Sequence, residues 1–386
     1  DDEGNKLTTN SDSDGRYHSN WLNMMYPRLK LARNLLRNDG AIFISIDDGE
    51  LDNLVKVCSE IFGEENFLSK LLWKSRQTTD SRKSTNMSTD HEYILVYTKI
   101  IDKFSLKGKD IDKTKYKNPD KDPRGPWASI DLSVQANQNQ RPNQYYDIFD
   151  PKTGLSYPAN PKRVWSKSKG VVEQMISEDR ILFPNNPDGR PREKKFISDL
   201  KTGITGFSSW LDSKKVGHTT NGTREFSELF EERVFDFPKP TSLIEILIEQ
   251  GSAENDIVLD FFAGSSSSAQ AVFQLNSNKQ NRKVIQVQIP QPTDIKSEAY
   301  RAGFKTIAEL GKERIRRAGI KIAKETPDKA KDLDLGFKVL KLDSSNIKGW
   351  DGSPDNLEES LFDAVSNIKN DRTEEDVLYE ILLKYG

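Results

Sequence analysis

A single cysteine, Cys58, stands in the 386 residues, which excludes a disulfide framework and leads us to expect a reducing compartment, the cytoplasm. It falls in the apolar-periodic stretch Leu54–Ile61, the setting of a buried structural thiol. Histidine is nearly as scarce. His18, His91 and His218 lie far apart with no cysteine beside them, so no metal site is expected. No run of about 18 apolar residues occurs, and no membrane span is expected. The first residues, Asp1-Asp2-Glu3-Gly4, carry neither a basic nor an apolar stretch, so no signal peptide is read there. Lacking an initiator Met as well, the chain reads as a fragment. Nor is there an internal repeat. An excess of one charge is also missing: 58 Lys and Arg face 60 Asp and Glu, and a net charge of −2 is no argument for nucleic acid. The locally basic stretches Lys99–Arg124 and Lys312–Lys324 have the pattern of solvated faces.

What is present is the composition of a surface-rich globular protein, 34% hydrophobic and 31% charged, long enough for two or three domains. Trp21–Arg37 repeats apolar residues at helical spacing, and Asn38-Asp39-Gly40 stops it. Ala41–Ile46 reads as a buried strand, Glu50–Phe62 as a helix, and Leu68–Trp73 and Tyr93–Tyr97 as strands. From about 101 to 230 the texture changes to Pro, Gly, Asn and Asp with isolated aromatics. The strand and helix rhythm then resumes: helix Ser242–Gln250, strand Ile257–Asp260, helix Ser267–Leu275, strand Val284–Ile289. One α/β sheet interrupted by an inserted α+β domain accounts for that pause.

The segment Ile257–Ala271 (IVLDFFAGSSSSAQA) carries the chemistry. It delivers Asp260 at the carboxyl end of a strand, where open α/β sheets bind ligands. Ala263-Gly264-Ser265 makes a turn of small residues, and the serines after it offer helix-capping hydroxyls and free backbone N–H groups. It is neither a dinucleotide fingerprint nor a P-loop. An ordinary strand-to-helix turn satisfies the same spacing, so spacing alone leaves both readings open.

DFFAGSSSSAQAV resembles motif I of the β-class DNA amino-methyltransferases, and FPKPTSLI (237–244) resembles the motif X that lies beside the same cofactor. WLNMMYPRLKLARNLLRNDGAIFISIDDGE, IFGEENF, HEYILVYTK, RKVIQVQIP, KTIAELGKERIRRAG, LGFKVLKLDSSNIKGW and DVLYEILLKYG are similar to the modification (Mod) subunits of type III restriction-modification systems. The resemblance implies a Rossmann-like methyltransferase sheet in which Asp260, Phe261, Phe262, Gly264 and Ser265 contact S-adenosylmethionine, with Lys239 and Ser242 nearby. Only one of the two phenylalanines is expected at the adenine, the other in the core. It further implies methyltransferase parts at 1–100 and 233–325, a target-recognition domain at 101–232, and a C-terminal region at 326–386 for dimer or partner contacts. The partners implied are double-stranded DNA, a restriction (Res) subunit and a second Mod copy.

Three features complicate the match. Ser266 stands where the family often has Gly. Gln286 and Gln288 stand where an acid commonly holds ribose hydroxyls. The Asp-Pro-Pro-Tyr tetrapeptide that activates the target amine is absent from the 386 residues, and family spacing would put it before Asp1. Asp122-Pro123-Arg124 and Asp150-Pro151-Lys152 read as turns instead. His18 lies in a stretch similar to one near the family's active centre, and Asp47-Asp48 either lines the cofactor site or caps the next helix.

In the inserted region, QANQNQRPNQYY (135–146), with Arg141 and Gln144, and a second cluster with Arg163 and Lys167 are candidates for DNA contact. Leu357–Ile368 and Glu374–Lys384 carry amphipathic stripes. The expected activity of the intact protein is methylation of adenine N6 in duplex DNA. The alternatives are a DNA-specificity and assembly module for a nuclease, and a methyltransferase acting on RNA or protein. Adenine N6 and cytosine N4 are not separated by these residues.

Overall fold

The computed structural model describes residues 15–80, 85, 87–186, 188–200, 203–278, 280–348 and 367–385. They belong to two compact units, one ending at Leu333 and one beginning at Asp334.

In the first unit, α1 (Tyr17–Leu35) buries Met25, Leu29 and Ala32 at the three- and four-residue spacing of one helix face. α2 (Leu51–Phe62) buries Leu51, Leu54, Cys58 and Phe62 in the same way. Both faces meet β1 (Ala41–Ile46) and β3 (His91–Thr98), where Leu95 and Tyr97 close the cluster. β2 (Phe67–Lys74) and β11 (Trp210–Leu211) complete a four-stranded sheet of order β1-β3-β2-β11. β3 pairs antiparallel with both β1 and β2, while β11 runs parallel to β2. The link from β2 to β3 has no helix among its described residues. The chain therefore turns back instead of crossing over, and the strand rhythm of this half gives an antiparallel core.

A second ladder holds β12 (Ile257–Asp260) parallel to β13 (Lys283–Gln286), joined through α7 (Ser267–Asn276) as a parallel crossover requires. α6 (Thr241–Gly251) and α7 pack over it through Ile248, Ala271, Val272 and Leu275. Among the described residues no hydrogen bonds join this ladder to the first sheet, so the single sheet expected from the sequence is in two pieces. The two are nonetheless aligned. Arg37, before β1, pairs with Asp256, before β12, at 3.1 Å. Phe261, after β12, packs against the same cluster as Ile46 and Tyr93, at the carboxyl end of β1 and the start of its antiparallel partner. The carboxyl ends of β1 and β12 therefore share one side.

The region between is built from β4 (Lys109–Asp110) with β10 (Ile204–Thr205), β6 (Ile148–Phe149) with β7 (Ser156–Tyr157), and a three-stranded sheet of β5 (Trp127–Asp131), β9 (Arg192–Phe196) and β8 (Ile181–Leu182). Leu132, Ile148, Trp165, Val172 and Met175 form its core with α3 (Lys169–Ser177). Its chain returns to the first sheet at β11, and the short α4 (Ser213–Val216) then leads into α5 (Thr219–Phe230). Phe226 and Phe230 of α5 stack at 4.5 Å between ring centroids and pack against Leu310 and Ala318 of α9 (Ile307–Glu325), which follows the short α8 (Glu298–Arg301).

In the second unit a helix spans Glu374–Tyr385, with Leu378, Ile381 and Leu382 about half exposed. The stripe at 357–368 falls, apart from its last two residues, outside the described residues. Among the described residues no helix is long and apolar enough to cross a membrane.

Candidate functional site

β12 ends at Asp260, and the chain then makes a turn through two left-handed residues, Gly264 at φ +51° and Ser266 at φ +60°. Gly264 answers the conformational demand at no steric cost, whereas Ser266 adopts a backbone that costs an L-residue about 1 kcal/mol. The loop is tied on every side. Asp260 accepts from the Phe262 N–H at 3.2 Å and from the Ser268 hydroxyl. Gly264 N–H donates to Gln288 Oε1 at 2.7 Å, and Gln286 Nε2 donates to Ser268 Oγ at 2.7 Å. The two glutamines of β13 and its continuation thus spend one polar atom each on the loop. Gln286 Oε1 is buried and has no donor among the described residues.

The segment preceding α6 closes on the same loop, since Ser267 Oγ donates to the Lys239 carbonyl at 3.2 Å. Lys239 Nζ pairs with Glu92 at 3.1 Å and lies 5.6 Å from the centroid of the Trp73 ring. Ser242 Oγ donates to the Val216 carbonyl at 2.9 Å. Gly222 of α5 makes this approach possible: a Cβ there would lie 2.1 Å from the Pro238 carbonyl oxygen.

The expected cofactor residues therefore come together from two stretches of sequence, with different exposures. Phe262 is 50% exposed, whereas Phe261 is half-buried against the core under β1 and β3. Ser265 is buried, with its hydroxyl turned inward to Ser267 and Arg314. What remains open on the loop is Asp260 to Phe262 and Gly264, beside the buried Gln286 oxygen.

At the carboxyl end of β1, Asp47 accepts from the Gly49 N–H, and burial together with the Asp48 carboxylate pushes the Tyr93 phenol upward. Tyr93 also bonds His91 at 2.9 Å. His18 Nδ1 lies 2.8 Å from Glu50, a buried carboxylate that also accepts from Asn53.

The DNA candidates gather around Trp165. Its N–H donates to the Gln144 carbonyl at 3.1 Å, its indole donates to the Tyr146 carbonyl, and Tyr146 donates to the Lys167 carbonyl. Arg141 is exposed and reaches Gln144 at 3.3 Å. Arg163 is engaged instead, held by Ser133 and Asp131.

Sequence reasoning passed over Arg314, in a stretch whose charges were expected to face solvent. It is fully buried behind the loop. The signal was the spacing: Leu310, Arg314 and Ala318 share one face of α9.

The family model described as DNA methylase matches residues 4–327. The StyLTI Mod subunit of Salmonella typhimurium, a type III restriction-modification enzyme, is 35% identical over 326 residues, covering 83% of this chain and 48% of the relative. The EcoP15I Mod subunit of Escherichia coli is 33% identical over 385 residues, covering 88% of this chain and 56% of the relative. The type II methyltransferase M.KpnI of Klebsiella pneumoniae is 31% identical over 325 residues, covering 79% of this chain and 75% of the relative. The chain spans about half the length of the two type III relatives.

Proposed function

This chain belongs to the N6/N4 DNA methylase family, and from that premise we propose that it is the donor-binding and target-recognition part of a type III Mod subunit. The single observation that carries this is the convergence of the Lys239 segment on the Asp260–Ser268 loop beside an unpartnered buried acceptor, Gln286 Oε1.

Those residues fit S-adenosylmethionine. Asp260 and the Gln286 oxygen are acceptors for the hydroxyl and ammonium groups of the ligand. Phe262 offers an exposed ring to stack on the adenine, and Phe261 holds the turn to the core. Lys239 sets a cation beside the loop for the carboxylate end, Ser242 anchors the start of α6, and Gly264 with Ser265 shapes the turn. When bound, the cofactor supplies an electrophilic methyl group. The protein's part is to fix the donor at the carboxyl ends of the strands and exclude water from it. The DNA side is the face around Trp165, where Arg141, Gln144 and Lys167 reach base edges or phosphates while Arg163 stiffens the loop. The substrate of the intact protein is adenine N6 in duplex DNA, and its partners are a Res subunit and a second Mod copy.

Titration calorimetry with S-adenosylhomocysteine tests the donor site. The chain should bind one equivalent, and Asp260→Ala should weaken binding at least about tenfold, the worth of a charge-assisted hydrogen bond. A folded chain that releases no heat, or an Asp260→Ala variant that binds as well, contradicts it.

A further inference from the structure

A guanidinium taken out of water normally finds a carboxylate. Arg314 finds none among the described residues, although it is 0% exposed. Its Nε donates to Gln270 Oε1 at 2.9 Å. Its Nη1 donates to Ser267 Oγ at 2.7 Å, Ser265 Oγ at 3.0 Å and the Ser265 carbonyl at 3.2 Å. The Phe226 ring lies 5.0 Å away, and Nη2 has no partner among the described residues. Burial brings this arginine down to about 10, opposed in part by the more distant Glu225.

Every hydrogen-bond partner thus belongs to the loop or the first turns of α7. One helical turn earlier, a Cβ on Gly311 would meet Ser266 Oγ at 2.6 Å and the Gly264 carbonyl at 3.4 Å. α9 therefore touches the loop at Gly311 and grips it at Arg314, on both sides of the left-handed Ser266. If Arg314 were there for packing alone, an apolar side chain of similar volume would serve as well without the desolvation penalty.

We propose that Arg314 is a positioning residue of the methyl-donor loop, its fork holding Ser265 and Ser267 so that Asp260 to Gly264 stand ready for the ligand. This rests on the loop being the donor site. It is a role for a residue that makes no ligand contact of its own.

The test uses the full chain, with S-adenosylhomocysteine affinity by calorimetry and amide hydrogen exchange across 257–271 read on the same samples. Arg314→Met keeps an unbranched apolar stem but removes the donors. It should lose loop protection and bind at least about tenfold more weakly while the far-UV spectrum stays native. Arg314→Lys keeps the charge without the fork. Its ammonium, lowered by the same burial, should lose its proton as pH rises from 7 to 9, so its affinity should fall over that range while the wild type stays flat. If Arg314→Met fails to fold, that pH profile decides. Affinities within twofold of wild type in the folded variants, with unchanged loop exchange and no pH dependence in Arg314→Lys, overturn the proposal. If the wild type binds no S-adenosylhomocysteine, the donor-site reading fails. The exchange data then judge the grip alone, and unchanged protection in the variants overturns it.

Discussion

Burial on α6, reinforced by the neighbouring carboxylates Glu225 and Glu249, pushes Glu245 up to about 7 from an ordinary 4.5. Glu225 is fixed there because it accepts from both the N–H and the hydroxyl of Thr241, at the start of α6. Between about pH 4.5 and 7 the folded protein keeps a proton that the unfolded chain has released, so this group's contribution to stability falls as pH rises through that window. Glu245→Gln should be close to neutral at pH 4.5 and stabilise the protein by ~1–2 kcal/mol at pH 8, after allowance for solvent screening. Thermal unfolding at the two pH values measures this, and equal effects at both would refute the burial argument. Cys58 shows the same desolvation on a thiol, pushed up to about 12, which agrees with its reading as an inert core residue. Arg314 shows where a sequence alone misleads. A charge in a basic stretch reads as solvent-facing; its spacing with Leu310 and Ala318 puts it on the buried face, but the partners it meets there lie 44 to 49 residues away in sequence.

Helix α5 and the Pro238–Pro240 segment meet at Gly222, where only the lack of a side chain permits contact. An added Cβ would lie 2.1 Å from the Pro238 carbonyl, 2.8 Å from Pro240 N and 2.9 Å from Lys239 C. All three are backbone atoms and cannot rotate away. Gly222→Ala should destabilise the fold by ~1–3 kcal/mol, in the range of other overpacked cores. It should also weaken S-adenosylhomocysteine binding, because the displaced segment is the one that Ser267 holds. Urea unfolding and calorimetry on the same variant report both, and a stable variant with unchanged affinity would show that the segment does not shape the site. Most elements were legible because their apolar periods are strong. β1 and β12 match the expected bounds, and α6 and α7 start and stop within one residue of them. Pairing was less legible. Whether β2 and β3 run parallel or antiparallel depends on the link between them, and the two-residue β11 has no period to read.

At the level of the whole chain, sequence order puts 210 residues between Ala41–Ile46 and Ile257–Asp260, most of them part of neither sheet. Arg37 and Asp256 bring the strand starts together, and the core under Phe261 brings their ends together. The loop motif was visible from residue types alone. Its inward face was not, because serines read as capping or ligand-binding hydroxyls until the helix that covers them is placed. The most direct check on the donor site is photolabelling of the folded chain with methyl-tritiated S-adenosylmethionine, followed by peptide mapping. The expected result is saturable label, displaced by S-adenosylhomocysteine, on the peptide containing Asp260 to Gly264. Label confined to the Trp165 region, or none from a folded chain at saturating cofactor, would contradict the assignment of this loop as the methyl-donor site.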